Sequence, residues 1–533
     1  MAVPHPDSVS SPAPAGSATR AGSLVRRPVA RAVAQARPAS DSVWWLVLVA
    51  AAFTAAQLVF VVSKLQLSWD ETVYISQVAI HSPAAYFDPA RARGIPVLVA
   101  PVTLLTSSVL ALRIYLSLAS GLALFLALLV WRPLRPVWQL ALGGVFFAGL
   151  WVTQYYGPQA MPDLWVAFSA LAAVGFFLRA VLPPGRQAGR EARSVPLTGR
   201  EATLAGAVAR PSRGNLAGLA ACIGVAALVR PGDALYLGGA LGIAVLAVRA
   251  WRSWPLLVAI AAGFVAGAAE WVIEAYVRFG SPLRRLHLAG LEQGGFGFHL
   301  AIWDELRALN GPTLCRPCTV GLRYPEISLW WLALPVLVFL GALAARRAGR
   351  LSSSVLAAAC GVAIAFQYLF LIGYAAPRFL LPAYALLSIP VSDLAAGLIT
   401  GVRRDLRPGV ITLIGVALVV QLMVQNAVLT HQVSEKAGYF GSYGIIATDL
   451  HRIGVRGPCL IKGVQYIPIA YYAGCNSQES AGAAERHQAH ESLVYIDKIG
   501  KLPPAYARGW TRYQLPGIKS DLLNVQAYVS RSG

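Results

Sequence analysis

Eleven apolar runs alternate with short polar connections along most of the chain, near 43–63, 111–131, 136–153, 162–182, 215–230, 233–250, 255–277, 328–345, 352–373, 378–400 and 409–429. Runs of this length and apolarity predict membrane-spanning helices. A further apolar run at 94–107 is shorter and broken by Pro96 and Pro101, so it predicts an interfacial or re-entrant helix rather than a span. From 430 the pattern turns mixed and polar. Residues 445–453 have helical spacing and Gly457–Pro458 leads into a strand-like stretch, which predicts a small α/β domain over 430–533. Residues 1–42 are rich in Pro, Ala, Ser and Arg without apolar periodicity and predict a disordered basic tail. The predicted fold class is an α-helical polytopic membrane protein of about eleven spans (43–429) followed by a small extracytoplasmic α/β domain.

Composition agrees, with 56% hydrophobic and only 13% charged residues. The net charge of +21 would point a soluble chain toward nucleic acid. Here the arginines sit between spans and read as topology signals and membrane-lipid contacts, so no nucleic-acid partner is expected. Arg26, Arg27, Arg31 and Arg37 precede the first span, Arg132 and Arg135 follow the second, and Arg186, Arg190 and Arg193 follow the fourth. Arg249 and Arg252, then Arg346, Arg347 and Arg350, then Arg403, Arg404 and Arg407 complete the same side. Marking every second connection, they put the amino terminus inside. The 278–327 connection carries six arginines yet falls outside, where long loops follow the rule weakly. The Ala-, Arg- and Gly-rich composition suggests a bacterial plasma membrane.

On that topology the loop 64–110, the turn 154–161, the loop 278–327 and the tail from 430 share the outer face. Cys315, Cys318, Cys459 and Cys475 all fall there, where thiols can oxidise; the favoured pairings are Cys459 with Cys475 and Cys315 with Cys318. The Cys315-Arg316-Pro317-Cys318 spacing also fits a redox pair or half a zinc site, but no second ligand pair accompanies it and a loop staple is favoured.

Polar groups gather on the same face. Asp70 and Glu71 follow span one, Arg91 and Arg93 lie in the same loop, Arg113 opens span two, Asp163 opens span four, Arg230 and Asp233 bracket a turn, and Arg378 opens span ten. Taken singly, each has a bland reading as a solvated helix end, a snorkelling arginine or a cap. Together, carboxylates that take a proton from a hydroxyl and guanidiniums that hold a leaving phosphate suit transfer of a group from a lipid-linked phosphate. Asp70 is the first candidate for the base. No Gly-rich phosphate loop or zinc-protease pattern is present.

These residues carry a resemblance. The acidic pair after the first span, the following Arg-Gly-Ile-Pro at 93–96, Arg113, Met161-Pro162-Asp163, Arg230-Pro231 and Arg378-Phe379-Leu380-Leu381-Pro382-Ala383 are similar, in order and side, to the GT-C glycosyltransferases. The protein-mannosyltransferase and aminoarabinose-transferase group, family GT39 and its bacterial relatives, is the nearest match, over about 43–400. The resemblance implies an inverting transferase that uses a polyprenyl-phosphate sugar donor and an envelope glycan, lipid or protein acceptor. It makes Asp70 the general base, has Asp163 position the acceptor or an optional metal, and gives Arg378, Arg230 and Arg93 the donor phosphate. Glu71 either raises the Asp70 pKa or helps position the acceptor or a divalent cation. No cofactor is required, with a divalent metal left open. The rival readings are a lipid-linked saccharide transporter and an inactive assembly subunit of the same fold.

Overall fold

The computed structural model describes residues 41–182, 211–295, 297–322, 324–478, 492–515 and 524–530. The basic tail and the arginines at 186, 190 and 193 fall outside them. Each of the eleven apolar runs is a helix. In chain order the helices are α1 (Trp44–Val62), α2 (Trp69–Ser76), α3 (Gly94–Thr103), α4 (Val109–Val130), α5 (Val137–Ala148), α6 (Trp151–Tyr156), α7 (Pro162–Val181), α8 (Arg213–Val229) and α9 (Pro231–Ala247). There follow α10 (Trp254–Phe279), α11 (Pro282–Glu292), α12 (Ile302–Asn310), α13 (Pro325–Arg347), α14 (Leu351–Phe370), α15 (Pro377–Gly401), α16 (Arg407–Arg452) and α17 (Tyr466–Ala473).

Among the described residues, eight of these helices are long and apolar enough to cross a membrane: α1, α4, α7, α10, α13, α14, α15 and α16. The runs of α5, α8 and α9 form apolar helices of 12, 17 and 17 residues. Residues Gly94–Thr103 also form a short helix, with Pro101 inside it. The chain is thus a multi-pass membrane protein.

Burial separates the helices by role. Within their most apolar windows, 78% of α7 and 83% of α15 is buried inside the bundle, against 6% for α16. The two helices surrounded by others are therefore α7 and α15, and both begin at a proline in the first turn. The far end of the bundle is tied by a buried ion pair: Arg135 lies on Asp393 through two contacts of 2.9 Å, with Gln139 donating to the same carboxylate at 2.7 Å. The sequence suggested a headgroup-facing Arg135. It is 3% exposed, because an acid on the neighbouring α15 captures it.

Helix α16 runs unbroken through 430, where the sequence pattern suggested a domain boundary. Its 46 residues span about 69 Å at 1.5 Å per residue, more than twice the roughly 30 Å hydrocarbon core. The membrane helix thus continues outward as the stem of the carboxy-terminal domain. There β1 (Cys459–Gly463), β2 (Asn476–Ser477), β3 (Ser492–Lys498), β4 (Thr511–Gln514) and β5 (Val525–Ser530) form one mixed sheet in the order β2-β1-β3-β5-β4. β1 is parallel to β2 and β3, whereas β5 is antiparallel to β3 and β4. Disulfides join Cys459 to Cys475 and Cys315 to Cys318.

Candidate active site

Asp70 stands in the first turn of α2, and a capping box sets that turn. Glu71 accepts from the Ser68 backbone N–H and hydroxyl, both at 3.0 Å, satisfying groups a helix start otherwise leaves open. The same carboxylate lies on Arg113 at 2.5 and 2.9 Å and accepts from the Ala160 N–H at 2.9 Å. Both side chains of that pair are fully buried. Neighbours one residue apart on a helix do not share a face, so Glu71 locks the loop from behind while Asp70 looks into a cavity. Glu71 and Arg113 therefore lie apart from the reaction space that the sequence pattern assigned to them.

The cavity, of about 230 Å³, is lined by Asp70, Tyr74, Asp88, Arg91, Met161, Arg230, Glu292, Arg316, Tyr374, Arg378 and Phe379, among others. Asp70 accepts from Arg91 at 2.7 Å and from Arg378 at 3.1 Å. The Arg378 Nε lies 3.4 Å from the second oxygen of Asp163, whose first oxygen takes the hydrogen bond of Arg230. Arg230 also lies 3.9 Å from Asp233, which in turn accepts from Gln367 at 2.6 Å and from the Tyr368 hydroxyl. The Arg230 and Arg378 guanidiniums rest on the Phe379 ring, 4.8 and 5.1 Å from its centre. Asp163 and Asp233 each occupy the first turn of a helix, where the helix dipole favours negative charge, and Arg378 stands in the first turn of α15.

Arg93 takes a different course from Arg91. It opens α3 and pairs with Glu274 at 2.6 Å, with Glu270 at 3.7 Å, and donates to Gln77 at 3.2 Å. The Arg-Gly-Ile-Pro motif acts here through its glycine. A Cβ on Gly94 would stand 2.7 Å from the Leu228 carbonyl oxygen, so the glycine lets α3 press against the last turn of α8, which leads into Arg230. The carboxy-terminal domain reaches the site too. Tyr466 meets Trp69 edge-on at 5.2 Å, and the Tyr472 hydroxyl accepts from the Leu67 N–H at 3.2 Å. Helix α17 thus braces the turn that holds Asp70.

Burial pushes the Asp70 carboxyl up, but Arg91 and then Arg378 outweigh it and hold it below the ordinary carboxylate range. The group is ionised at neutral pH and remains so under mildly acidic conditions. Replacing Arg91 by Gln removes a positive neighbour and raises the Asp70 pKa. The acid limb of a kcat/KM profile should then move to higher pH than in wild type, and an unmoved limb would remove Asp70 from the titration.

Two groups in the loop 278–327 carried no signal in the sequence pattern. Arg316 lines the cavity from inside the Cys315–Cys318 ring. Glu305 of α12 is fully buried, with no lysine, arginine or histidine within 4 Å among the described residues. Burial, against the opposing Ala376 N–H, pushes its carboxyl well above the ordinary value of 4.5. The folded protein therefore holds this proton where the unfolded chain has lost it, and its stability contribution falls as pH rises from about 4.5 through the raised pKa. Glu305→Gln should flatten that part of a Tm-against-pH curve; an unchanged slope would place its cause elsewhere.

Among the described residues no three His, Cys, Asp or Glu side chains converge as metal ligands. Asp70 and Asp163 both face guanidiniums.

No family model and no curated protein sequence matches the chain. Solved structures do. The chain is similar over 91% of its length to ArnT from Cupriavidus metallidurans bound to undecaprenyl phosphate, with a TM-score of 0.60 and 14% identity, covering 98% of that chain. Against the same protein in the apo state the TM-score is 0.59 and the identity 13%, over 92% of this chain and 98% of that one. The chain thus shares the fold of these membrane proteins. The likeness extends over nine-tenths of this chain and nearly all of that one.

Proposed function

We propose that the protein is an inverting glycosyltransferase that moves a sugar from a polyprenyl-phosphate donor to an acceptor hydroxyl in the cell envelope. The observation that carries this reading is the convergence of Asp70, Arg230 and Arg378 on one cavity, with the buried Asp163 paired to both arginines. A protein of the same fold crystallised with undecaprenyl phosphate supports the donor class.

In this mechanism the acceptor oxygen attacks the anomeric carbon in line. The new C–O bond forms as the bond to the phosphate oxygen breaks; the electron pair leaves with the phosphate, and the hydroxyl proton passes to Asp70. Arg378 and Arg230 stabilise the departing phosphate. As a phosphate draws Arg378 from Asp70, the carboxylate regains basicity when the donor docks. Asp163 holds both arginines in place. Arg93, paired with Glu274 and Glu270, anchors α3 instead of the phosphate. The oxidised cysteine pairs and the arginine bias toward the opposite connections support an active site on the extracytoplasmic face of a bacterial plasma membrane.

The transporter reading calls for charges near the bilayer midplane along a path, whereas these cluster at one end. Proteoliposomes holding a labelled polyprenyl-phosphate sugar and an acceptor panel separate the two. Transfer of label to an acceptor supports the enzyme; translocation of intact donor without cleavage sinks it.

A further inference from the structure

The guanidiniums deep in the cavity are already answered by carboxylates. Arg91 faces Asp70 and Asp88, Arg230 faces Asp163 and Asp233, and Arg378 faces Asp70 and Asp163. That makes three cations against four anions, so a lipid phosphate entering this set meets no surplus of positive charge. Arg316 differs. It lines the same cavity, is exposed, and has no carboxylate within 4 Å among the described residues. Glu292 answers it with its backbone only: the Arg316 Nη2 donates to the Glu292 carbonyl at 2.7 Å. That single bond leaves most of a five-donor guanidinium uncommitted.

The ring around Arg316 is built to hold it there. Cys315 is 2% exposed, and its N–H and C=O pair with the C=O and N–H of Ala375 at 2.9 and 3.3 Å. The Cys315–Cys318 bond closes the loop over the two intervening residues. Ala375 lies three residues before Arg378, so the ring is bonded to the segment that leads into a deep arginine. The Arg316 guanidinium sits 5.0 Å from the centre of the Tyr374 ring, and Tyr374 meets Phe379 edge-on at 5.7 Å. Phe379 carries Arg230 and Arg378. Three guanidiniums therefore lie over two touching rings, and the most exposed of them, Arg316, lacks an anion.

We propose that the Cys315–Cys318 ring is an anion-binding element that presents Arg316 to the phosphate of the lipid donor. The inference rests on the donor class proposed above. The disulfide removes alternative conformations of the loop, so less order is lost when the phosphate docks. The ring is thereby a specificity device: it favours a charged lipid head over a neutral one of the same chain. Reducing the ring weakens binding by freeing Arg316, without touching Asp70.

The test compares binding of undecaprenyl phosphate and of undecaprenol, its neutral alcohol, to the full chain in nanodiscs. A charge-assisted hydrogen bond is worth roughly 1.5–3 kcal/mol, so Arg316→Gln should weaken the phosphate about tenfold or more and leave the alcohol unchanged. Arg316→Lys should keep part of the preference, and the Cys315→Ser/Cys318→Ser double variant should fall between wild type and Gln. Wild-type preference for the phosphate that survives intact in Arg316→Gln overturns the inference while sparing the donor reading. Equal weakening of both lipids also overturns it, as a general effect on access. A wild-type protein that does not distinguish phosphate from alcohol overturns both.

Discussion

Asp70→Asn should lower kcat for sugar transfer by roughly a hundredfold to ten-thousandfold, the usual worth of a general base, while Tm and affinity for the lipid phosphate stay near wild type. The shapes of Asp and Asn are alike, and the amide can still accept from Arg91 and Arg378, which hold the carboxylate at 2.7 and 3.1 Å. What it loses is the capacity to take the acceptor's proton. If KM rose and kcat held, Asp70 would be a binding group and the mechanism would need another base. Arg378→Gln is the complementary variant, weakening the hold on the leaving phosphate and on Asp70 together.

The second large effect lies next door and should look entirely different. Arg113→Gln leaves the Glu71 carboxylate fully buried without its cation, a loss of about 3–5 kcal/mol. It also withdraws the hydrogen bonds that Arg113 gives to the carbonyls of Leu65, Gln66 and Pro158, at 3.3, 2.9 and 2.8 Å. Three carbonyls around the loop between α1 and α2 lose their donor at once, so the variant should melt many degrees lower and lose activity only as it loses fold. The double variant Glu71→Gln/Arg113→Gln removes the stranded charge and should recover part of the stability. A wild-type Tm for Arg113→Gln would contradict the structural role given to the pair.

Much of this architecture is legible in the pattern of apolar runs, because a spanning helix must be nearly uniform in composition and arginine marks its ends. The order of Asp70, Asp163, Arg230 and Arg378 along the chain, each at the same end of its run, is likewise enough to bring them together. Finer assignments depend on direction. Asp70 and Glu71 are adjacent in sequence yet about 100° apart around a helix, and only the Ser68-to-Glu71 capping spacing hints that Glu71 closes the turn. Arg91 and Arg93 look equivalent until Glu270 and Glu274, far along the chain, draw Arg93 away. Glycines at 438, 441 and 444 blur the outer part of α16, where packing against α17 and the stem's own continuity keep it helical. Arg316 has no local signal at all, since its meaning comes from the Ala375 bridge and the Tyr374 ring across the loop.

The deciding measurement for Asp70 as the base of a sugar transfer is release of polyprenyl phosphate from a panel of polyprenyl-phosphate sugars, with acceptors present, by wild type and Asp70→Asn in nanodiscs. Wild type should release polyprenyl phosphate from at least one donor, and the variant almost none. Equal release by both proteins, or none from any donor with wild type, would contradict that assignment.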